Sequence, residues 1–237
     1  MGTVADGFDL DGVTSTGAGR TCVDFSPDYT SPTGDVGVDN AYGSFLPQVG
    51  ALVGDGCPPG VPSGECSGAL LARAQERGDF QLAVRIDRLE TLPNDAEVGV
   101  SLWRGRGRVS SATYEQIAAG TGTVFDGQLR VNFPGIVPAW IAVDGGTAMF
   151  GGDSVSTSLG GQLSCGGLDG STIGGGWRVA DAAAEAERMM PGLAATISSV
   201  LGGNADLEPQ AADPTICDSL SWAIRFDTSV PLDPFSL

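Results

Sequence analysis

The sequence predicts a mainly β protein: an antiparallel β-sandwich, jelly-roll-like, with one or two helical insertions. Three observations carry this expectation. Apolar residues alternate with polar ones in several short runs. Asp-Gly bends separate such runs. Only two stretches show helical spacing. With 237 residues, 41% of them hydrophobic and 17% charged, the chain is long enough to bury a core. It reads as one domain over residues 1–237, with a loop-rich acidic N-terminal segment over about 1–66.

The elements follow in order. "SGALLARAQERG" predicts a short helix with Ser67 as cap, Leu70, Leu71 and Ala74 as apolar stripe and Gly78 as left-handed stop. In "QLAVRIDRLE" Leu82, Val84 and Ile86 alternate with polar or small residues, and "EVGVSLW" repeats the pattern through Val98, Val100 and Leu102. The "LPND" between them is a turn, so the two strands are expected to pair antiparallel. "TVFDGQLRVNF" places Asp126-Gly127 between two alternating runs, a strong hairpin signal, with Leu129, Val131 and Phe133 on one face. "PAWIAVDGGTAMFGG" repeats the design around Asp144. Leu159, Leu163, Leu168 and Ile173 punctuate a glycine-rich stretch, which fits strands packed closely on another backbone. Its glycines lack both the dinucleotide and the P-loop spacing. From Val179 to Val200 the apolar residues fall three or four apart, and Pro191-Gly192 must kink or divide that helix. "SLSWAIRF" closes with Trp222, Ile224 and Phe226 on one strand face.

The charge is strongly acidic: 29 Asp and Glu against 12 cationic residues give −17, and all the cations are arginine, with no histidine. Nucleic acid and anionic membrane surfaces are disfavoured as partners. Cations suit the chain better. Calcium needs six to eight oxygens from carboxylates, carbonyls and amides on a tightly turned backbone, and "DGFDLDG" with "DFSPDYTSPTGDVGVDN" supplies that mix. The expected Ca²⁺ ligands are Asp9 and Asp11, with Asp6 beside them, and Asp24, Asp28, Asp35, Asp39 and Asn40. Neither segment is an EF-hand, and Asx-turns that cap backbone amides would use the same residues.

Five cysteines at 22, 57, 66, 165 and 217 show no C-x-x-C pair and have no histidine with which to build a common zinc site. Disulfides are the better reading and imply an oxidising compartment. "CPPGVPSGEC" suggests Cys57–Cys66, with Cys165–Cys217 a second pairing and Cys22 unassigned. The opening "MGTVADGFDLDG" has neither a basic nor an apolar signal region, so Met1 is expected to stand where a secretion signal was removed. No apolar run approaches the ~18 residues needed to span a bilayer.

The pattern Cys22-x-Asp24-Phe25, then "GDVGVDNAYG", a glycine-rich strand, a helix, "ADLEP" at Ala205–Pro209 and "ICDSLSWAIRF" resembles Asp-rich secreted or lipid-anchored proteins of unknown function from myxobacterial genomes. The resemblance implies export and a place at the bacterial envelope or exterior, and carries no activity.

Without histidine the Ser-His-Asp and Cys-His constellations are excluded, and without lysine so are the Schiff-base amine and the P-loop cation. The first expectation is an exported, non-catalytic binding module, calcium-stabilised and glycan-binding, with Trp103 or Trp177 as sugar platforms. A structural or surface-assembly subunit, packing against envelope proteins or copies of itself, is the alternative. A glycoside hydrolase using two carboxylates among Glu90, Glu97 and Glu115 comes third.

Overall fold

A computed structural model describes residues 7–24, 27–32, 34–42, 66–107, 113–143, 148–189, 191–192 and 194–228. After a 3-10 turn at Cys22–Asp24, strands β1 (Tyr29–Thr30) and β2 (Val36–Val38) pair with each other. Helix α1 (Cys66–Arg77) precedes β3 (Gln81–Asp87), β4 (Asp95–Arg106), β5 (Thr113–Phe125), β6 (Gln128–Asn132), β7 (Val137–Val143), β8 (Ala148–Ser164) and β9 (Gly167–Arg178). Helices α2 (Val179–Met189) and α3 (Ala194–Gly202), then β10 (Leu207–Pro209) and β11 (Cys217–Phe226), complete the order. Nine of these strands form one antiparallel sheet in the order β10-β11-β9-β8-β6-β5-β4-β3, with β7 also on β8. The protein is mainly β with helical insertions in a sandwich-like arrangement, as the patterning predicts.

Local chemistry sets the elements. Asp126 and Gly127 both take positive φ, 49° and 76°, the geometry that two-residue hairpins require, and they join β5 to β6. Helix α1 begins at Cys66, so the expected cap Ser67 lies inside its first turn. It stops at Gly78 (φ 82°), where the Asp79 N–H donates to the Ala74 carbonyl at 2.9 Å. The long helical pattern divides at Pro191-Gly192 into α2 and α3. Its buried face is carried by Ala182 and Ala186 on α2 and by Ile197 and Leu201 on α3. The glycine-rich run is β8 and β9, and a Cβ on Gly174 would lie 2.6 Å from the carbonyl oxygen of Trp222 on β11. Close backbone approach explains that glycine.

The core joins Val98, Val100 and Leu102 on β4 to Leu129 and Val131 on β6 and Leu159 on β8, with α2 and α3 packed on it. A bulge at Val155–Ser158 splits β8: its first half pairs β7 and its second half pairs β6. A bulge bends the strand that carries it. Strand β3, the last of the sheet, lines the same cavity as β7 and as β11 near the other end, so the sheet curls on itself.

The acidic N-terminal segment is tied to this sheet. Phe8 bridges Asp39, the Ala41 N–H donates to Ser221 Oγ on β11 at 2.7 Å, and Cys22 forms a disulfide with Cys217 across 195 residues. That pairing corrects the expected Cys165–Cys217 bridge. Cys165 lies in the β8–β9 turn and is a free, exposed thiol, while Cys217 starts β11 beside the far end of β9. The two positions are roughly 35 Å apart at 3.3 Å per residue, far beyond disulfide reach. Cys57 and the Cys66 side chain, and with them the expected Cys57–Cys66 bridge, lie outside the described residues. No helix of the described residues is long and apolar enough to cross a membrane.

Candidate functional site

Two places on the fold gather chemistry. The first is where the chain start meets the strand that follows the β1–β2 turn. The Phe8–Asp39 bridge draws Asp39 onto the Asp9–Asp11 turn, and carboxylate oxygens of Asp9, Asp11 and Asp39 all lie within 4.8 Å of one another. Each acid spends an oxygen on a backbone amide. Asp9 Oδ1 accepts from the Gly12 N–H at 2.7 Å, Asp11 Oδ1 from Val13 at 2.8 Å and Asp39 Oδ2 from Leu10 at 2.6 Å. The Asx-turn role and a ligand role therefore coexist. The second oxygen of each acid remains, and Asp11 Oδ2 is buried with no hydrogen-bond partner among the described residues. Gly37 (φ 80°) keeps the place open, since a Cβ there would come within 3.4 Å of Asp9 Oδ2 and 3.1 Å of Thr14 Oγ1. The three acids form a group that could hold a metal ion.

Electrostatics around the group favour a cation. Burial, reinforced by Asp11, Asp206 and Asp28, pushes Asp39 up to about 8, against the Leu10 amide that favours its charge. Asp11 is raised by burial and by Asp9 and Asp24, and Asp28 by burial and by Asp11 and Asp9. Asp206, from the loop before β10, is pushed up to about 6 by burial although Ser221 gives it two hydrogen bonds. A positive ion beside these acids would take the place of the proton that Asp39 otherwise retains.

The other expected carboxylates also accept hydrogen bonds. Asp28 Oδ2 accepts from the Ser15 N–H at 2.5 Å, Asp24 Oδ2 from Thr21 Oγ1 at 3.0 Å and Asp35 Oδ2 from Ser31 Oγ at 3.1 Å. None of the three carboxylates belongs to the close group, Asn40 is half-buried next to Asp39 in the chain, and Asp6 is outside the described residues. Asp206 is the acid that sequence reasoning missed. "ADLEP" marks its neighbourhood, but nothing local shows that it is buried.

The expected sugar platforms fare differently. Trp177 is 3% exposed and belongs to the core. Trp103 is half-buried, with its Nε1–H donating to Ser101 Oγ at 2.9 Å. Among the glutamates, Glu97 lies near the start of β4 and Glu115 faces Arg104 near its other end. Seven residues of strand separate them by about 23 Å, whereas paired glycosidase carboxylates stand roughly 5–10 Å apart. Glu97 instead meets Arg88 at 3.7 Å.

The second place is a cavity of about 770 Å³ inside the curl of the sheet. Its walls come from Val84 and Ile86 on β3, Ile117 on β5, Val137 on β7 and Ile224 and Phe226 on β11. The alternation that marks Val84, Ile86, Ile224 and Phe226 as inward-facing is visible in the sequence, yet all four are only half-buried. They pack against the core cluster and also line the cavity. The buried part of the lining is apolar except for Gln81, whose side-chain amide donates to the Gln75 carbonyl at 2.8 Å. Trp222 shows only its ring, because its Nε1–H donates to Ser154 Oγ at 2.9 Å. Exposed polar residues stand at the rims: Gln75 and Glu76 on α1, Ser164 in the β8–β9 hairpin and Asp227 after β11.

Comparison with family models, with curated proteins and with solved structures finds no match.

Proposed function

We propose that the protein is a non-catalytic binding module of the cell exterior that holds a small ligand in the cavity of its curled sheet. Calcium at Asp9, Asp11 and Asp39 staples its N-terminal segment. The carrying observation is the cavity: about 770 Å³ walled by half-buried aliphatic and aromatic side chains from both ends of the sheet. Ligand sites of proteins are typically pockets of this size, apolar with a few polar groups. The staple is supported by three close carboxylates, one with an orphaned oxygen. All-oxygen donors are what hard cations prefer, and flexible turns suit the larger calcium better than magnesium. The Cys22–Cys217 bridge supports an oxidising compartment.

The test is a titration with N-phenyl-1-naphthylamine, a neutral fluorophore that brightens in apolar surroundings. One saturable site is expected, lost when Val84→Trp fills the cavity. A folded protein that gives no saturable signal would remove the reading.

A further inference from the structure

The cavity also indicates what kind of molecule it takes, an inference that rests on the binding-module reading and is independent of calcium. We infer that it receives the hydrocarbon tail of a single-chain amphiphile with an uncharged head group, of the monoacylglycerol type.

The aliphatic part of the lining disfavours polar ligands first. A sugar held against Val84, Ile86, Ile117, Ile224 and Phe226 would leave hydroxyls without partners, because among the described residues the polar side chains of the lining away from the rims are few: Gln81, which already donates to Gln75, and the half-buried Arg85, Tyr114 and Thr228. Burying a polar group without a hydrogen-bond partner is unfavourable. A hydrocarbon chain has no such requirement and gains from contact with Val84, Ile86, Ile117, Ile224 and Phe226.

Size comes next. A cavity of about 770 Å³ lies within the roughly 300–1,000 Å³ of small-molecule sites. That is room for one long acyl chain. The polar rims at Gln75 and Glu76, and at Ser164 and Asp227, give a small hydroxylated head a hydrated place to stop.

Charge decides the head. The lining brings two arginines, Arg85 and Arg225, against two acids, Glu76 and Asp227, so it has no cationic excess to capture a carboxylate or phosphate. The whole chain carries −17, which repels anionic amphiphiles at long range.

Displacement of N-phenyl-1-naphthylamine by monoacylglycerols from octanoyl to palmitoyl, below their micelle concentrations, tests the inference on the full chain. Affinity should rise by up to about fourfold per added methylene until the cavity is full. Oleate should displace more weakly than monoolein, and sugars should not displace at all. Val84→Trp on one wall and Ile224→Trp on the other should each lower monoacylglycerol affinity at least tenfold, with near-ultraviolet dichroism reporting that the fold is kept. If the fluorophore binds but octanoyl and palmitoyl lipids displace it equally, or oleate or a glycan displaces it better, the ligand class is wrong while the binding module stands. If neither fluorophore nor lipid binds the folded chain, both fail.

Discussion

Asp39 concentrates the chemistry of the N-terminal segment in one residue. It is 4% exposed and pushed up to about 8, chiefly by burial. Because that lies above the ordinary 3.8, the folded chain holds a proton that the unfolded chain has released. Stability then falls as pH rises from about 4 to about 8. Asp206, raised to about 6, adds to the fall over its lower part. In chelator, the melting temperature should therefore drop between pH 5 and pH 8. Calcium should restore it by ionising Asp39 in place, worth about 2.7 kcal/mol at a hundredfold excess over Kd. Asp39→Asn keeps an acceptor for the Leu10 amide and removes the titration. Its melting should show a flatter pH profile and little response to calcium. Scanning calorimetry of the two proteins at both pH values, with and without calcium, checks this; identical calcium responses would contradict the staple.

At the scale of elements, Ser221 joins the N-terminal segment to the sheet. Its hydroxyl donates to Asp206 Oδ2 at 2.5 Å and accepts from the Ala41 N–H at 2.7 Å, while its own N–H donates to Asp206 Oδ1 at 2.7 Å. Ser221→Ala should cost about 1–3 kcal/mol, since it strips partners from buried polar groups. A lower urea midpoint at unchanged slope would show it; no shift would contradict the tie. Local signals made most elements legible. Asp126-Gly127 named its hairpin, Pro191-Gly192 its helix break, and the alternation of Leu129 and Val131 their buried face. Partners distant in sequence were not legible. Asp9 and Asp11 stood out as a pair, but only the Phe8–Asp39 bridge brings Asp39 to them in place of Asp24, Asp28 and Asp35. The pairing of Cys22 with Cys217 depends on the same long-range docking. Alternation likewise marked Val84 and Ile224 as inward-facing and left open whether they meet each other, another side chain or a space.

For the whole molecule, the Cys22–Cys217 bridge closes a loop of 195 residues in sequence separation. Chain entropy allows about 5 kcal/mol for a loop of that length, and measured losses run at about 2–5 kcal/mol. Replacing both cysteines by serine should lower unfolding stability within that range, read by denaturant titration, while leaving fluorophore binding in place because the bridge is remote from the cavity lining. Stability equal to that of the parent would mean that the bridge is not formed in solution. The central claim is that the two ends of one curled sheet enclose a single ligand site. Amide hydrogen exchange, followed with and without a saturating uncharged ligand such as monopalmitoylglycerol, tests it most directly. The account predicts that amides of β3 and β11 gain protection together, while the turn at Asp126-Gly127 does not change. Protection confined to one of the two strands, or appearing at the outer turns and absent from both, would contradict it.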